Sequence, residues 1–496
     1  MTKKSVERKI IDGSLWTIFL NVFVRMLGFI SILILARFLN PRDLGVYAAA
    51  AVVIELVNVL TQTGVETILV QKVRLSVSHY QTAWTINIIR GAIIFCILQI
   101  FAQFFITAYS SDPGIRQAIQ VIAFSALISC FSSAYFINFQ KHIDFKTIAK
   151  VNIICRLTGF VATIIAAYIL RSFWALVVGN FSITTMNLLL SHKFAPGKHR
   201  LTLSEGKHLI GSSRWVIFHE VCAFFSLQFD KFLITRFLGT KSLGIYDVGY
   251  QIAMVPIQEI ALPVSRVLFP GLASLAHDRE AFRNLLTSFL AAIFYLSVPA
   301  AVGLFLVAEL LVSSLFPVEW FGTIEVIEIL VVLALVRSFF GPTISALMGA
   351  GQLELNAKLS ALSAFLSLLF LSFGMVTYGL IGMMSAAVFV SVIRLSVYLG
   401  VLQKLGMFRI YEYLTMIWRA VISTFLMAFC VESYIKIEPE TLSLNPISML
   451  LTSISIGMIS YTFFITLIWA LSGRHDGIES SVINWAISHK KGMAKK

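Results

Sequence analysis

ARFLNPRDLGVY, residues 36–47, stands between two long apolar runs, and TRFLGTKSLGIY, residues 235–246, stands between two more. Arginine, phenylalanine, leucine, leucine, glycine and tyrosine hold the same places in both copies. Phenylalanine and leucine matches come cheaply in an apolar chain, whereas the arginine, glycine and tyrosine matches do not. A corner written twice implies a unit written twice, and its flanks say what kind of unit.

Those flanks are apolar runs of about 20 residues, the length that crosses a bilayer core as a helix. Hydrophobic residues make up 58% of the 496 and charged residues 13%, about half the ~25% of a soluble domain. The mean hydropathy is +0.86. In lipid each segment must satisfy its own backbone hydrogen bonds, which selects helices. A membrane barrel is excluded because its mark is short alternating segments. The runs divide into fourteen candidate spans, near 14–39, 44–64, 83–109, 117–139, 148–170, 172–192, 209–238, 243–265, 284–308, 323–349, 356–377, 379–402, 411–432 and 446–472. The fifth and sixth are parted only by Arg171, and twelve is the alternative count.

The basic start MTKKSVERK lacks an obvious small-residue cleavage site, so an uncleaved first span is expected. Lysine and arginine in short loops then set the orientation. With the N-terminus inside, the outer loops hold only Arg37, Arg42, Arg116, Arg171, Arg236, Lys241 and Lys436, and most other basic residues flank the inner ends. Both termini are therefore expected in the cytoplasm. The net charge of +14 is mostly topology, and its dispersion argues against a nucleic-acid partner. The five cysteines lie in apolar spans without metal-ligand spacing.

The two corners fall between spans 1 and 2 and between spans 7 and 8, so both halves share one orientation. That predicts parallel six-helix repeats around a central cavity: an N-terminal lobe 1–200, a C-terminal lobe 201–405, two extra helices in 406–472, and a basic cytoplasmic tail 473–496. Two such lobes can rock to open a site alternately to each side, which is the plan of a transporter.

A charge at membrane depth costs at least ~2.5–3.5 kcal/mol on insertion scales, so it faces a partner or a watery cavity. Arg25, Lys231, Arg337 and Arg394 lie inside predicted spans and are candidates for a cationic lining. Glu55, Glu220 and Asp230 are candidate gating or ion-pair groups. At ~100° per residue, Ser14, Thr17, Asn21, Arg25 and Gly28 share about 80° of span 1, a polar stripe down an apolar helix. An Arg25–Glu220 or Arg25–Glu55 pair that only locks helices together is the competing reading. Pro256, Pro263 and Pro270 in span 8 are candidate hinge positions, since each removes a helix hydrogen bond. No phosphate loop, nucleotide-hydrolysis motif or catalytic constellation emerges, so no enzyme and no cofactor is expected. Energy would come from an H+ or Na+ gradient or from the substrate's own downhill flow.

LARFLNPRDLGVYAAAAVVIELVNVLTQTGVETILVQ (35–71), FQKHIDFKTIAKVNIICRLTGFVATIIAAYILRSFWALVVG (139–179) and FDKFLITRFLGTKSLGIYDVGYQIAMVPI (229–257) resemble lipid-linked oligosaccharide flippases of the multidrug/oligosaccharidyl-lipid/polysaccharide exporter superfamily. The Asp-Lys pair before an apolar run ending in Leu-Gly, here Asp230, Lys231, Leu238 and Gly239, carries most of the likeness. The resemblance implies a bacterial inner-membrane protein that moves a polyprenyl-pyrophosphate-linked oligosaccharide repeat unit to the outer leaflet. The product would be exopolysaccharide, O-antigen or a related polymer, with membrane lipid, a polymerase and chain-length machinery as neighbours. The rivals are a cation-coupled drug antiporter, a peptidoglycan-precursor flippase and a membrane polysaccharide polymerase.

Overall fold

The computed structural model describes residues 20, 23–62, 64–65, 69, 75–109, 112–142, 144–206, 214–255, 268–269, 271–275, 277–441 and 445–472. Helices occupy every predicted span, and no strand occurs among the described residues. They are α1 (23–38), α2 (Pro41–Leu60), α3 (Val77–Tyr109), α4 (Pro113–Cys130), α5 (Phe145–Leu170) and α6 (Trp174–Phe194). Next come α7 (214–238) and α8 (240–253), then α9 (Arg279–Leu315). The tenth helix, α10, runs Thr323–Ser338 and resumes as Phe340–Gly349. The series ends with α11 (353–377), α12 (380–404), α13 (Ile410–Thr441) and α14 (Pro446–Leu471).

Among the described residues, nine helices counted as unbroken lengths are long and apolar enough to span a membrane. The fourteen labelled helices give fewer such lengths because α11 and α12 run on as one, the described part of α1 and both pieces of α10 are shorter than 18 residues, and the α7–α8 length is not among the nine. Two junctions carry no loop. Gly239 (φ 81°) separates α7 from α8, and Gly379 (φ 64°) separates α11 from α12. Glycine supplies the positive φ that turns the chain without extra residues. The sparsest predicted junction, at Arg171, works similarly: this residue is left-handed (φ 46°, ψ 42°) and closes α5 by donating its N–H to Ala167 O. Lipid, not propensity, makes the long helices stable. Phe365, Phe373, Phe425, Phe429, Met458 and Ile459 are all exposed, and such a surface requires an apolar solvent.

The chain forms two compact units. The first comprises residues 1–248 and 360–383, the second 249–359 and 384–496. In the first, α5 packs along α6 through small residues. A Cβ on Gly179 would overlap Thr163 Oγ1, so the helices meet at backbone distance. In the second, α9 packs on α10, α13 and α14. Its core gathers Leu286, Leu290, Phe339, Leu347, Tyr398 and Phe408.

Candidate functional site

The repeated corner is a contact as well as a motif. Within the first unit, a Cβ on Gly45 would overlap the carbonyl oxygen of Thr240, and one on Gly244 would overlap that of Pro41. Gly45 and Gly244 hold matching places in the two copies, as do Pro41 and Thr240. The contact is therefore self-complementary, the signature of a two-fold relation. Asp112, the N-cap of α4, ties both copies together. Arg42 Nε and Nη2 donate to its two oxygens at 2.9 and 3.1 Å, and Thr240 Oγ1 donates at 3.0 Å. Burial alone would raise the Asp112 carboxyl, yet the hydrogen bonds from Arg42, the Gly114 amide and Thr240 hold it below its ordinary value. Asp43 accepts from the Phe173 amide at 3.1 Å and pins the turn before α6.

Helices α7 and α8 fold back on one another across Gly239. Lys231 Nζ lies 2.7 Å from Asp247 Oδ1, and Tyr246 donates to Asp230. Sixteen residues of unbroken helix would hold such partners about 24 Å apart. Lys231, read from sequence as a candidate for substrate, thus sits in an ion pair, and its neighbour Asp230 is 2% exposed. Glu55 accepts from Gln228 Nε2 at 3.1 Å. Arg25 is exposed on α1, and Glu220 is half-buried on α7. Ser14, Thr17, Asn21, Pro256, Pro263 and Pro270 lie outside the described residues.

The second unit brings Arg337 and Arg394 together. Arg337 stands in the last turn before α10 breaks at Phe339, and its Nη1 donates to Tyr250 Oη at 2.9 Å. The Arg394 guanidinium lies 4.3 Å from the centre of the Phe340 ring and 5.6 Å from that of Tyr398, one turn along α12. Tyr398 in turn donates to Asn356 Oδ1 at 3.2 Å. Phe340 follows Arg337 by three residues, so Arg394 lies against the segment that carries Arg337, and Arg394 Nε is buried with no hydrogen-bond partner among the described residues. Stacking on rings holds a guanidinium in place while leaving its N–H edge for an acceptor. Such an arrangement suits an anion with several oxygens. Sequence reasoning found both arginines but not Tyr250, Phe340 or Tyr398, since aromatic residues are common in every span.

A separate apolar cavity of about 370 Å³ lies among α9, α13 and α14, lined by Tyr295, Pro299, Gly303, Val431, Gly457 and Tyr461, among others. Tyr295 and Tyr461 frame it, donating to the Met416 and Tyr295 carbonyls at 2.9 and 2.7 Å.

An all-helical polytopic membrane protein, doubled at its corners and carrying arginines within its apolar helices, is of the transporter class. Residues 34–325 match the family described as polysaccharide biosynthesis protein, and the chain belongs to that family. It is similar to the lipopolysaccharide biosynthesis protein WzxC of Escherichia coli, at 24% identity over 79% of this chain and 80% of that one. It is similar also to the teichuronic acid biosynthesis protein TuaB of Bacillus subtilis, at 22% over 71% and 73%. The succinoglycan biosynthesis transport protein ExoT of Rhizobium meliloti is 23% identical over 68% of each. Among solved structures, the lipid II flippase MurJ in an inward closed conformation matches with a TM-score of 0.72, at 14% identity over 92% of this chain and 99% of that one. A multidrug resistance MATE family transporter of the MOP superfamily, in an inward-facing conformation, matches at a TM-score of 0.59, with 16% identity over 78% of this chain and 98% of that one. These last two establish a shared fold.

Proposed function

We propose that the protein moves a polyprenyl-pyrophosphate-linked oligosaccharide from the cytoplasmic to the outer leaflet of the bacterial inner membrane, by alternating access, for assembly of a surface polysaccharide. The observation that carries this reading is the Arg337–Arg394 pair. A pyrophosphate presents clustered anionic oxygens, and two ring-supported guanidiniums offer it planar, bidentate donors. A cationic drug would instead call for a carboxylate there. The relatives named for lipopolysaccharide, teichuronic acid and succinoglycan biosynthesis support a polysaccharide cargo. The apolar cavity of α9, α13 and α14 offers a seat for polyprenyl carbons. We assign the fold to two six-helix lobes, 1–200 and 201–405, with 406–472 as added helices and 473–496 as a cytoplasmic tail. The self-complementary Gly45–Gly244 contact supports this duplication.

The test is Arg394→Gln, with Arg394→Lys beside it, in a strain that depends on this protein. Lipid-linked oligosaccharide should accumulate and surface polymer fall at least tenfold in the glutamine variant, at unchanged protein level. The lysine variant should retain part of the export. Normal export by Arg394→Gln, or a gain in sensitivity to cationic drugs without lipid-linked intermediate, would sink the reading.

A further inference from the structure

The first unit holds a second cavity with different chemistry. It measures about 310 Å³ and is enclosed by α3, α4 and α6, the start of α5 and the short segment 134–141. These are the helix ends that the distribution of basic residues places on the cytoplasmic side. Its size falls at the small end of ligand sites, roughly 300–1,000 Å³.

Part of the cavity's lining is polar. Asn87 on α3 and Asn187 on α6 line it half-buried, and neither carboxamide has a hydrogen-bond partner among the described residues. Ser132 Oγ at the end of α4 is buried and also lacks one. The neighbouring hydroxyls are already engaged: Ser129 donates to Ala126 O at 2.6 Å and Ser191 to Leu188 O at 2.8 Å. Leu69, Phe136 and Ile137 give the lining an apolar part, and Gln140 adds a third carboxamide.

Half-buried carboxamides inside a helix bundle are costly unless something meets them. Each offers donors and an acceptor. Among the described residues, no lysine, arginine, aspartate or glutamate lines the space. An alkyl chain would leave both amides unmatched. A ligand that carries both hydroxyls and a C–H face suits both kinds of side chain, and an uncharged sugar ring has that form.

We propose that this cavity binds an uncharged sugar ring, held by the Asn87 and Asn187 carboxamides and the Ser132 hydroxyl, with its apolar face on Phe136. Its biological meaning rests on the flippase reading: one sugar of the cargo would dock here on the cytoplasmic side, apart from the pyrophosphate. The two claims fail separately.

The experiment uses the full chain in lipid nanodiscs and saturation-transfer NMR with glucose, galactose and N-acetylglucosamine, each against inorganic pyrophosphate. At least one sugar should receive transfer at its ring protons. Asn87→Leu and Asn187→Leu should each weaken that binding about tenfold or more, and Arg394→Gln should leave it unchanged. Asn187→Asp, nearly isosteric, guards against misfolding, and each variant's thermal midpoint is measured alongside. If no sugar binds, or if binding survives both leucine variants, the cavity holds water only and the inference is wrong. Pyrophosphate binding lost in Arg394→Gln would in that case leave the flippase reading standing. Sugar binding with pyrophosphate binding indifferent to Arg394 would instead uphold the sugar site and remove the support for the flippase reading.

Discussion

Replacing Gly45 with alanine should open the doubled corner. The added methyl would overlap the carbonyl oxygen of Thr240 and press on that carbonyl's carbon at 2.7 Å and on the Gly244 amide at 3.0 Å. All three are backbone atoms, so no rotamer relieves the clash and α2 must back away from α8. Overpacking of this kind costs about 1–3 kcal/mol. If a second conformation lacks the contact, that cost shifts the balance toward it by roughly 5- to 150-fold. Leu243 is fully buried in the corner, which makes Leu243→Cys a reporter. In intact cells a membrane-impermeant maleimide should label it slowly beside Gly45 and at least five times faster beside Gly45→Ala, while export falls. Gly400→Ala supplies the control, since no atom lies within 4 Å of its added Cβ. Equal labelling in all three backgrounds would refute the claim that the corners close on each other through their glycines.

Acid should loosen the same corner. The folded-state pKa of Asp112 is held low, so its stabilisation is full above the unfolded carboxylate value and is lost as pH falls through the folded one. Amide exchange over residues 41–47 should therefore rise below about pH 4 and become insensitive to acid in Asp112→Asn. The change will be modest, because Arg42 is 64% exposed and exposed pairs contribute about 0.2–1 kcal/mol. Gly379→Ala meets no neighbour but forces a methyl onto φ 64°, ψ −140°. A backbone strain of about 1–3 kcal/mol should lower the thermal midpoint, and an unchanged midpoint would place the α11–α12 break elsewhere. Reporter fusions at Thr240 and Lys198 should read outside and inside respectively, and the reverse would invert the topology.

Most of the fold was legible because lipid allows so few solutions. A segment that must satisfy its own hydrogen bonds and show apolar atoms to its solvent announces itself over twenty residues, whatever its neighbours are. Junctions without loops were legible only as weak points, since a lone Arg171 or Gly239 turns the chain through φ and leaves no run of polar residues behind. Arg337 and Arg394 stood out because charge is rare at depth. Their aromatic supports did not, because the choice of Phe340 and Tyr398 among many rings is made by packing. Lys231 shows where helical arithmetic stops: its partner Asp247 lies beyond the Gly239 break, and the hairpin that joins them leaves no spacing to count.

The two corners show which part of the motif carries the physics. The first turns on Asn40 and Pro41, with Asp43 accepting the Asn40 amide at 3.3 Å to start α2. The second has neither asparagine nor proline and turns on the positive φ of Gly239. Two different devices thus make one bend, so the turn itself was free to drift. Gly45 and Gly244 had no such freedom, because each lies against the other copy's backbone and any side chain at either place would part them. A repeat preserved only by common descent would keep residues at random. The six positions this one keeps include the pair that touches, while Thr240, standing where the first copy has Pro41, adds a hydroxyl for Asp112 that proline cannot supply. The asymmetry confines the charged tie to one side of the two-fold contact. Thr240→Pro should therefore weaken the hold on Asp112 while leaving the glycine contact closed.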